Sequence, residues 1–297
     1  MIQIVNSSIQ KYINQLVSEK LGLPISSFQF HTVGSGSINE TCRITITHHI
    51  QFFLKLNSAT KYPRLFKKEK NGLEFIGKQK IIHVPDVIAC DETGNYQILL
   101  LEWIEEGIQT EKFWDQFGEQ LAKLHRITNP HFGFPEDNYM GALPQQNKMH
   151  ESWIEFFCHH RLEPQIKFAE EKHLLQAKQL SLFENLYDRL QDIFNAERPA
   201  LLHGDLWSGN YMCNENSEPV LIDPAVYFGH RSMDLAMTTL FGGFDKVFYE
   251  SYNYYFAFPK NYREQWEICN LYPLLIHLNL FGSDYLSQIE STLRKFK

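Results

Sequence analysis

The sequence predicts an α+β protein of two lobes, a small β-rich one over residues 1–105 and a larger, mainly helical one over residues 106–297. Two observations carry this. Between Phe28 and Trp103, β-branched and aromatic residues gather in short runs bounded by polar or glycine-rich breaks, the composition of half-buried strands. From Thr110 onward the apolar residues recur at every third or fourth position, the period of a helix with one face in a core. The join at Glu102 to Gly107 is short and has no Pro- or Ser-rich linker, so the lobes are expected to pack together around a cleft.

Taken in order, Ser8 can cap a helix whose residues Ile9, Ile13, Leu16, Val17 and Leu21 share a face, with Gly22 and Pro24 closing it. Strands are expected at Phe28 to Val33, Thr41 to Ile46 and Gln51 to Leu56, separated by Gly34-Ser35-Gly36 and His48-His49, as in an antiparallel meander. A helix around Leu65 to Gln79 follows. Two more strands, Val87 to Cys90 and Tyr96 to Trp103, are divided by the turn-forming Asp91 to Asn95 and complete a small sheet. In the second lobe Phe113, Trp114, Phe117, Leu121 and Leu124 share a helix face. Ser181 and Glu184 have the spacing of a capping box ahead of Leu186, Leu190 and Ile193.

Composition excludes several classes. A chain of 297 residues with 43% hydrophobic residues can build a core in each lobe. The net charge of −7, with Lys and Arg scattered, offers no footprint for nucleic acid. No stretch approaches the roughly 18 apolar residues of a membrane span, and the start lacks a leader pattern, so a soluble, cytoplasmic protein with no membrane partner is expected. Five cysteines without a Cys-x-x-Cys spacing argue against a disulfide framework or a zinc site. Cys158-His159-His160 reads as structural, since adjacent helical positions point in different directions.

The chemistry is concentrated in His203-Gly204-Asp205-Leu206-Trp207-Ser208-Gly209-Asn210 and Leu221-Ile222-Asp223-Pro224. Phosphoryl transfer to an alcohol needs a carboxylate to take the hydroxyl proton, an Asn five residues later on the metal, and a second Asp linking metal to phosphates. Asp205, Asn210 and Asp223 fit those three positions. Each alone has a plainer reading as a turn residue; the register of all three does not. Asn210 and Asp223 supply hard oxygens suited to Mg2+, and His203 is expected to orient the loop.

Lys55 is a cation inside an apolar strand and needs a partner. Glu69 on the following helix is that partner, with Glu74 as competitor, and the ammonium would hold the α- and β-phosphates of ATP. Gly34, Ser35, Gly36 and Ser37 form a glycine-rich loop whose amides can approach phosphates, a weak signal taken alone. Glu102, Trp103 and Ile104 are expected to form the interlobe hinge that receives the adenine edge through backbone groups. Trp207 and Tyr139 are candidates for a wall facing the acceptor, with a buried structural Trp as the alternative. Arg231 and Asp234 are expected to brace the metal-binding loop.

Gly204 stands where protein kinases have an Arg, and Pro224-Ala225 where they have Phe-Gly, so the chain resembles small-molecule kinases related to aminoglycoside phosphotransferases. The longer string Asp223-Pro224-Ala225-Val226-Tyr227-Phe228-Gly229 with Asp234-Leu235-Ala236-Met237 resembles the fructosamine kinase (ketosamine-3-kinase) family. Gly36 to Glu40, Phe52 to Asn57, Phe117 to Ala122, Asn138 to Gly141 and Leu278 to Gly282 extend the likeness over nearly the whole chain. His230 and Ser232 depart from it, standing where such proteins tend to carry acids. The resemblance implies a bilobal protein-kinase-like fold, ATP and Mg2+ as cofactors, and phosphorylation of the 3-hydroxyl of ketosamines, free or on glycated proteins. Two alternatives stay open: a kinase of another small alcohol or amino sugar, in the aminoglycoside or choline kinase manner, and a nucleotide-binding pseudokinase. The oligomeric state is open too.

Overall fold

Period-two burial builds the N-terminal sheet. In the computed structural model, which describes residues 7–22, 28–33, 38–47 and 50–296, α1 (Ser7–Leu21) precedes β1 (Gln29–Thr32), β2 (Glu40–Thr47) and β3 (Ile50–Ser58). After α2 (Leu65–Gly77) come β4 (Val87–Thr93) and β5 (Tyr96–Glu102). All pairings are antiparallel and the strand order is β1-β2-β3-β5-β4. Phe52, Leu54 and Leu56 of β3, with Ile98 and Leu100 of β5, share a core with Ile9, Ile13 and Val17 of α1. The intervening Leu99 and Leu101 turn the other way, into the core that holds α2 and the second lobe. The sheet is thus buried on both faces, which is why Ile98-Leu99-Leu100-Leu101 reads as a continuous apolar run. Lys55, out of phase with Leu54 and Leu56, faces away from α1.

The second lobe carries α3 (Glu111–Leu124), the ribbon β6 (Asn138–Met140) and β7 (Leu143–Gln145), and α4 (Trp153–Phe157) running through a π-helical turn, Cys158–Leu162, into α5 (Glu163–Glu171). Next are α6 (Ala177–Tyr187), α7 (Leu190–Ile193), β8 (Ala200–Leu202), β9 (Tyr211–Cys213), β10 (Pro219–Leu221) and β11 (Tyr227–Gly229). The chain ends with α8 (Ser232–Met237), α9 (Lys246–Tyr255), α10 (Tyr262–Cys269), α11 (Leu271–Phe281) and α12 (Leu286–Leu293). β9 pairs with β10 and β8 with β11. No helix among the described residues is long and apolar enough to cross a membrane.

Two local expectations need correction. The capping box is not at Ser181, an exposed residue inside α6; the helix begins after Gln176, whose amide donates to Gln179 Oε1 at 3.0 Å. Leu190 and Ile193 belong to the separate α7. The turn assigned to Asp91 to Asn95 is tighter: β4 continues to Thr93, and Gly94, with φ 57°, takes the left-handed conformation that a two-residue hairpin turn requires. Thr110 caps α3, accepting from Phe113 N at 3.3 Å, at the point where the helical period begins.

The α3–α9 crossing depends on Gly118. A Cβ there would lie 2.4 Å from the Phe248 carbonyl oxygen and 2.8 Å from Tyr252 N. Gly118→Ala should therefore destabilise the protein by about 1–3 kcal/mol, because overpacking outweighs alanine's advantage of roughly 1 kcal/mol in a helix. Thermal unfolding checks this; an unchanged or raised midpoint would mean the helices have room to part.

Candidate active site

The loop after β8 is shaped by one glycine and one carboxylate. Gly204 has φ 85°, and a Cβ on it would sit 2.1 Å from the Ala225 carbonyl oxygen, so no larger residue fits. Asp234, in the first turn of α8, accepts from His203 N at 2.7 Å and Gly204 N at 2.8 Å. It therefore braces the loop that carries Asp205 and, at its far end, Asn210. His203 donates from Nε2 to the Ile222 carbonyl at 2.8 Å and accepts at Nδ1 from Asp205 N at 3.2 Å. Burial holds its pKa below the ordinary histidine value. A neutral ring of fixed tautomer thus ties the Asp205 loop to the strand end before Asp223.

Asp205 Oδ2 and its own carbonyl both accept from Asn210 Nδ2 at 2.8 Å. Burial pushes the Asp205 carboxyl up to about 7, with Asp223 and Asp234 adding repulsion against the Asn210 hydrogen bond. Such a carboxylate is a stronger proton acceptor than an exposed Asp. Because the Asn210 amide nitrogen turns to Asp205, its oxygen faces the other way.

Asp223 follows β10 with φ 55°, a left-handed conformation unusual for a residue with a side chain. Its Oδ1 lies 2.5 Å from Lys55 Nζ, and Glu69 Oε1 lies 2.7 Å from the same nitrogen. Glu74 instead pairs with Lys70 at 3.5 Å. Lys55 is only 2% exposed; burial works against its charge, but Asp223 and Glu69 outweigh it and the pKa rises. Burial raises the Glu69 carboxyl to about 7 despite the ammonium beside it. Lys55, Glu69, Asp223, Asn210 and Asp205 thus form one contiguous constellation between β3, α2 and the second lobe.

Among the described residues no donor reaches Asn210 Oδ1 or Asp223 Oδ2. Two hard oxygens beside a half-exposed carboxylate suit a divalent cation that keeps waters and phosphate oxygens in its shell.

A cavity of about 530 Å³ opens over Asp205, Asn210 and Asp223. Trp207 and Tyr139 both line it, and Tyr139 OH donates to the Pro63 carbonyl at 3.1 Å, linking the lobes. Trp207 lies flat against its own loop because Gly209 has no side chain; a Cβ there would meet the indole at 2.4 Å. Asn138, Met140 and Gly141, from the Asn138 to Gln146 loop expected with Tyr139 on the acceptor side, line it too. Lys68 and residues of α11, among them Ile276, His277 and Leu280, complete the wall, and nothing in the sequence assigns these to the site. Lys68 is one of many lysines, and in the apolar α11 His277 and Asn279 break the pattern without marking a cavity wall.

Glu102, Trp103 and Ile104 do not line this cavity. The Glu102 amide donates to the Asp86 carbonyl at 2.9 Å, and its carboxylate accepts from Asp86 N at 3.1 Å. The Glu102 N–H is therefore committed, which leaves the Glu102 carbonyl and the backbone of Trp103 and Ile104. Gly34 to Ser37 lie outside the described residues. At the two departures from the family pattern, His230 Nδ1 accepts from Ser232 N at 3.3 Å and Ser232 Oγ donates to Gln265 Oε1 at 3.0 Å. Arg231 forks onto Glu197 at 2.9 and 3.0 Å. These groups lie away from the reaction centre; His230 Nε2 alone among them has no hydrogen-bond partner, with Glu197 Oε2 3.7 Å away.

A five-stranded antiparallel lobe whose buried Lys–Glu pair meets an Asp-x4-Asn loop and a second Asp defines a small-molecule phosphotransferase of the protein-kinase-like class. Comparison with known proteins narrows this. The family model described as fructosamine kinase matches residues 9–297, and the chain belongs to that family. A protein named probable ketoamine kinase from Enterococcus faecium is 39% identical over 266 residues, 89% of this chain and 94% of that one. A chloroplastic protein-ribulosamine 3-kinase of Arabidopsis thaliana is 34% identical over 279 residues, 88% of this chain and 83% of its own length. A crystal structure provisionally named fructosamine-3-kinase, from Thermobifida fusca, superposes with a TM-score of 0.86 at 30% identity, covering 96% of this chain and 98% of that one. The chain is accordingly a kinase of bilobal, protein-kinase-like fold.

Proposed function

We propose that the protein transfers the γ-phosphoryl group of ATP to the 3-hydroxyl of a ketosamine, a fructosamine or ribulosamine, free or on a glycated protein. The observation that carries phosphoryl transfer is the contiguous set Asp205, Asn210, Asp223, Lys55 and Glu69; the names of the relatives support the acceptor class. Residues 1–105 would hold the nucleotide and residues 106–297 the acceptor. The bacterial ketoamine kinase relatives support a cytoplasmic reaction.

Asp205 orients the hydroxyl and takes its proton as the new O–P bond forms and the bond to the β-phosphate oxygen breaks. Lys55, held by Glu69, turns its ammonium to the α- and β-phosphates. The Glu102 carbonyl and the backbone of Trp103 and Ile104 would meet adenine, and Gly34 to Ser37 would cover the phosphates. Asn210 and Asp223 would hold Mg2+, which when bound neutralises charge on the β- and γ-phosphate oxygens. Trp207 and Tyr139 would meet the apolar C–H face of the sugar.

The third carbon gives the reaction its consequence. Phosphate there is a good leaving group, and enolisation toward the amine-bearing carbon expels it by elimination. Hydrolysis then frees the amine, so the enzyme would start deglycation. Mass spectrometry of glycated lysine derivatives incubated with ATP and Mg2+ tests this. A phosphorylated ketosamine should form and decay to free amine, inorganic phosphate and a deoxy-dicarbonyl sugar, and a 3-deoxy analogue should bind without reacting. A stable phosphorylated product would point to an ordinary sugar or amino-sugar kinase, and nucleotide binding without any turnover to a pseudokinase.

A further inference from the structure

His83 lies outside the reaction centre, in the segment between α2 and β4, yet it touches two parts of the enzyme that must act together. Its backbone belongs to the second lobe. Leu221 N donates to the His83 carbonyl at 2.9 Å, and His83 pairs in parallel with Val220, both on the strand that ends just before Asp223. Its ring belongs to the hinge. His83 Nε2 lies 3.4 Å from Glu102 Oε2, the oxygen that also accepts from Asp86 N at 3.1 Å. Glu102 ends β5, where the chain passes to Trp103 and Ile104.

We propose that His83 is a positioning residue, its ring contact with Glu102 coupling the seating of the nucleotide at the hinge to the strand that presents Asp223. The inference rests on the kinase reading above. Side chain and backbone separate cleanly here: substitution removes the link to Glu102 while the carbonyl stays on Leu221 N. The pair is 40% and 37% exposed, and His83 and Asp86 line a cavity of about 720 Å³, so the ring exchanges protons with solvent. An exposed pair of this kind has a modest effect.

Three acids face the ring: Glu102 at the end of β5, Asp86 on its own segment and Glu218 beside β10. The Glu102 hydrogen bond, against partial burial, raises the His83 pKa above the ordinary histidine value. The link is therefore charged on the acid side and lost as pH rises through that raised value. ATP affinity should weaken in the same direction.

Calorimetric titration of the full-length protein with ATP and Mg2+, from about pH 6 to 9, provides the test. The titration of Asp205 and Glu69 is common to all variants, so the comparison is between them. Wild type should bind about three- to fivefold tighter than His83→Gln or Glu102→Gln near pH 6, the size of an exposed pair, and equally near pH 9. His83→Lys, charged throughout, should keep that advantage at both ends of the range. Wild-type affinity and pH profile in His83→Gln would overturn the proposal, as would failure of folded His83→Lys to keep the advantage. Wild-type protein that binds no ATP at any pH would instead overturn the kinase reading, and this inference with it.

Discussion

Asp205→Asn should retain ATP binding and lose about 10²- to 10⁴-fold in turnover, the usual contribution of a general base. The substitution keeps the shape of the loop. The interactions that fix it belong to other atoms: Asp234 holds the amides of His203 and Gly204, and His203 accepts from the amide of residue 205 itself. Only the Asn210 contact to the carboxylate oxygen changes character. Calorimetry with ATP and single-turnover kinetics on a ketosamine would separate the two effects. Near wild-type turnover at saturating acceptor would remove Asp205 from its role.

The pH dependence belongs to the same prediction. With its carboxyl raised to about 7 by burial, Asp205 is protonated and inactive as a base on the acid side. Turnover should fall as pH drops. A cation on Asn210 and Asp223 favours the ionised form, so the acid limb of kcat/KM should lie below 7 when Mg2+ is saturating.

The reaction centre was largely legible because its residues violate local rules in ways that only partners resolve. A lysine amid the apolar run Phe52-Phe53-Leu54-Lys55-Leu56 must meet an acid, and Glu69 meets it at 2.7 Å. Helix register chose Glu69 over Glu74, a matter of rotation about α2 that a list of acids does not contain. The Asp205–Asn210 spacing was legible because loop geometry closes a contact between those positions. The supporting layer was legible only in part. Asp234 was expected to act as a brace, but the amides it holds lie some thirty positions earlier, and nothing local to α8 names them. Strands of three residues, such as β8 and β11, are too short to show a period. Glu102 was read as part of the hinge, but its amide is already committed to Asp86 through pairing that only the folded chain reveals. The acceptor-side residues of α11 are apolar core residues on one face and cavity wall on the other, so periodicity records only the first role.

Lys55→Met should be costly in two separable ways. Turnover should drop because the α- and β-phosphates lose their cation, and the fold itself should lose about 3–5 kcal/mol, the typical result of leaving one member of a buried pair uncompensated. The deserted member is Glu69, whose side chain is 10% exposed. Burial already raises its carboxyl to about 7, with Lys55 the main influence pulling it down. Without the ammonium the folded-state pKa must climb further. A carboxyl whose folded pKa exceeds its unfolded value of about 4.3 contributes its stability below that unfolded value and loses it as pH rises through the folded one. The deficit of Lys55→Met relative to wild type should therefore be small near pH 5, where Glu69 can stay protonated, and largest near pH 8.5. Urea unfolding at the two pH values measures this. Lys55→Met combined with Glu69→Gln should recover stability at pH 8.5 while remaining inactive, since an apolar residue beside a neutral amide leaves no unpaired charge in the core. An equal deficit at both pH values, or a double variant no more stable than Lys55→Met, would show that Glu69 is not the charge Lys55 holds in place.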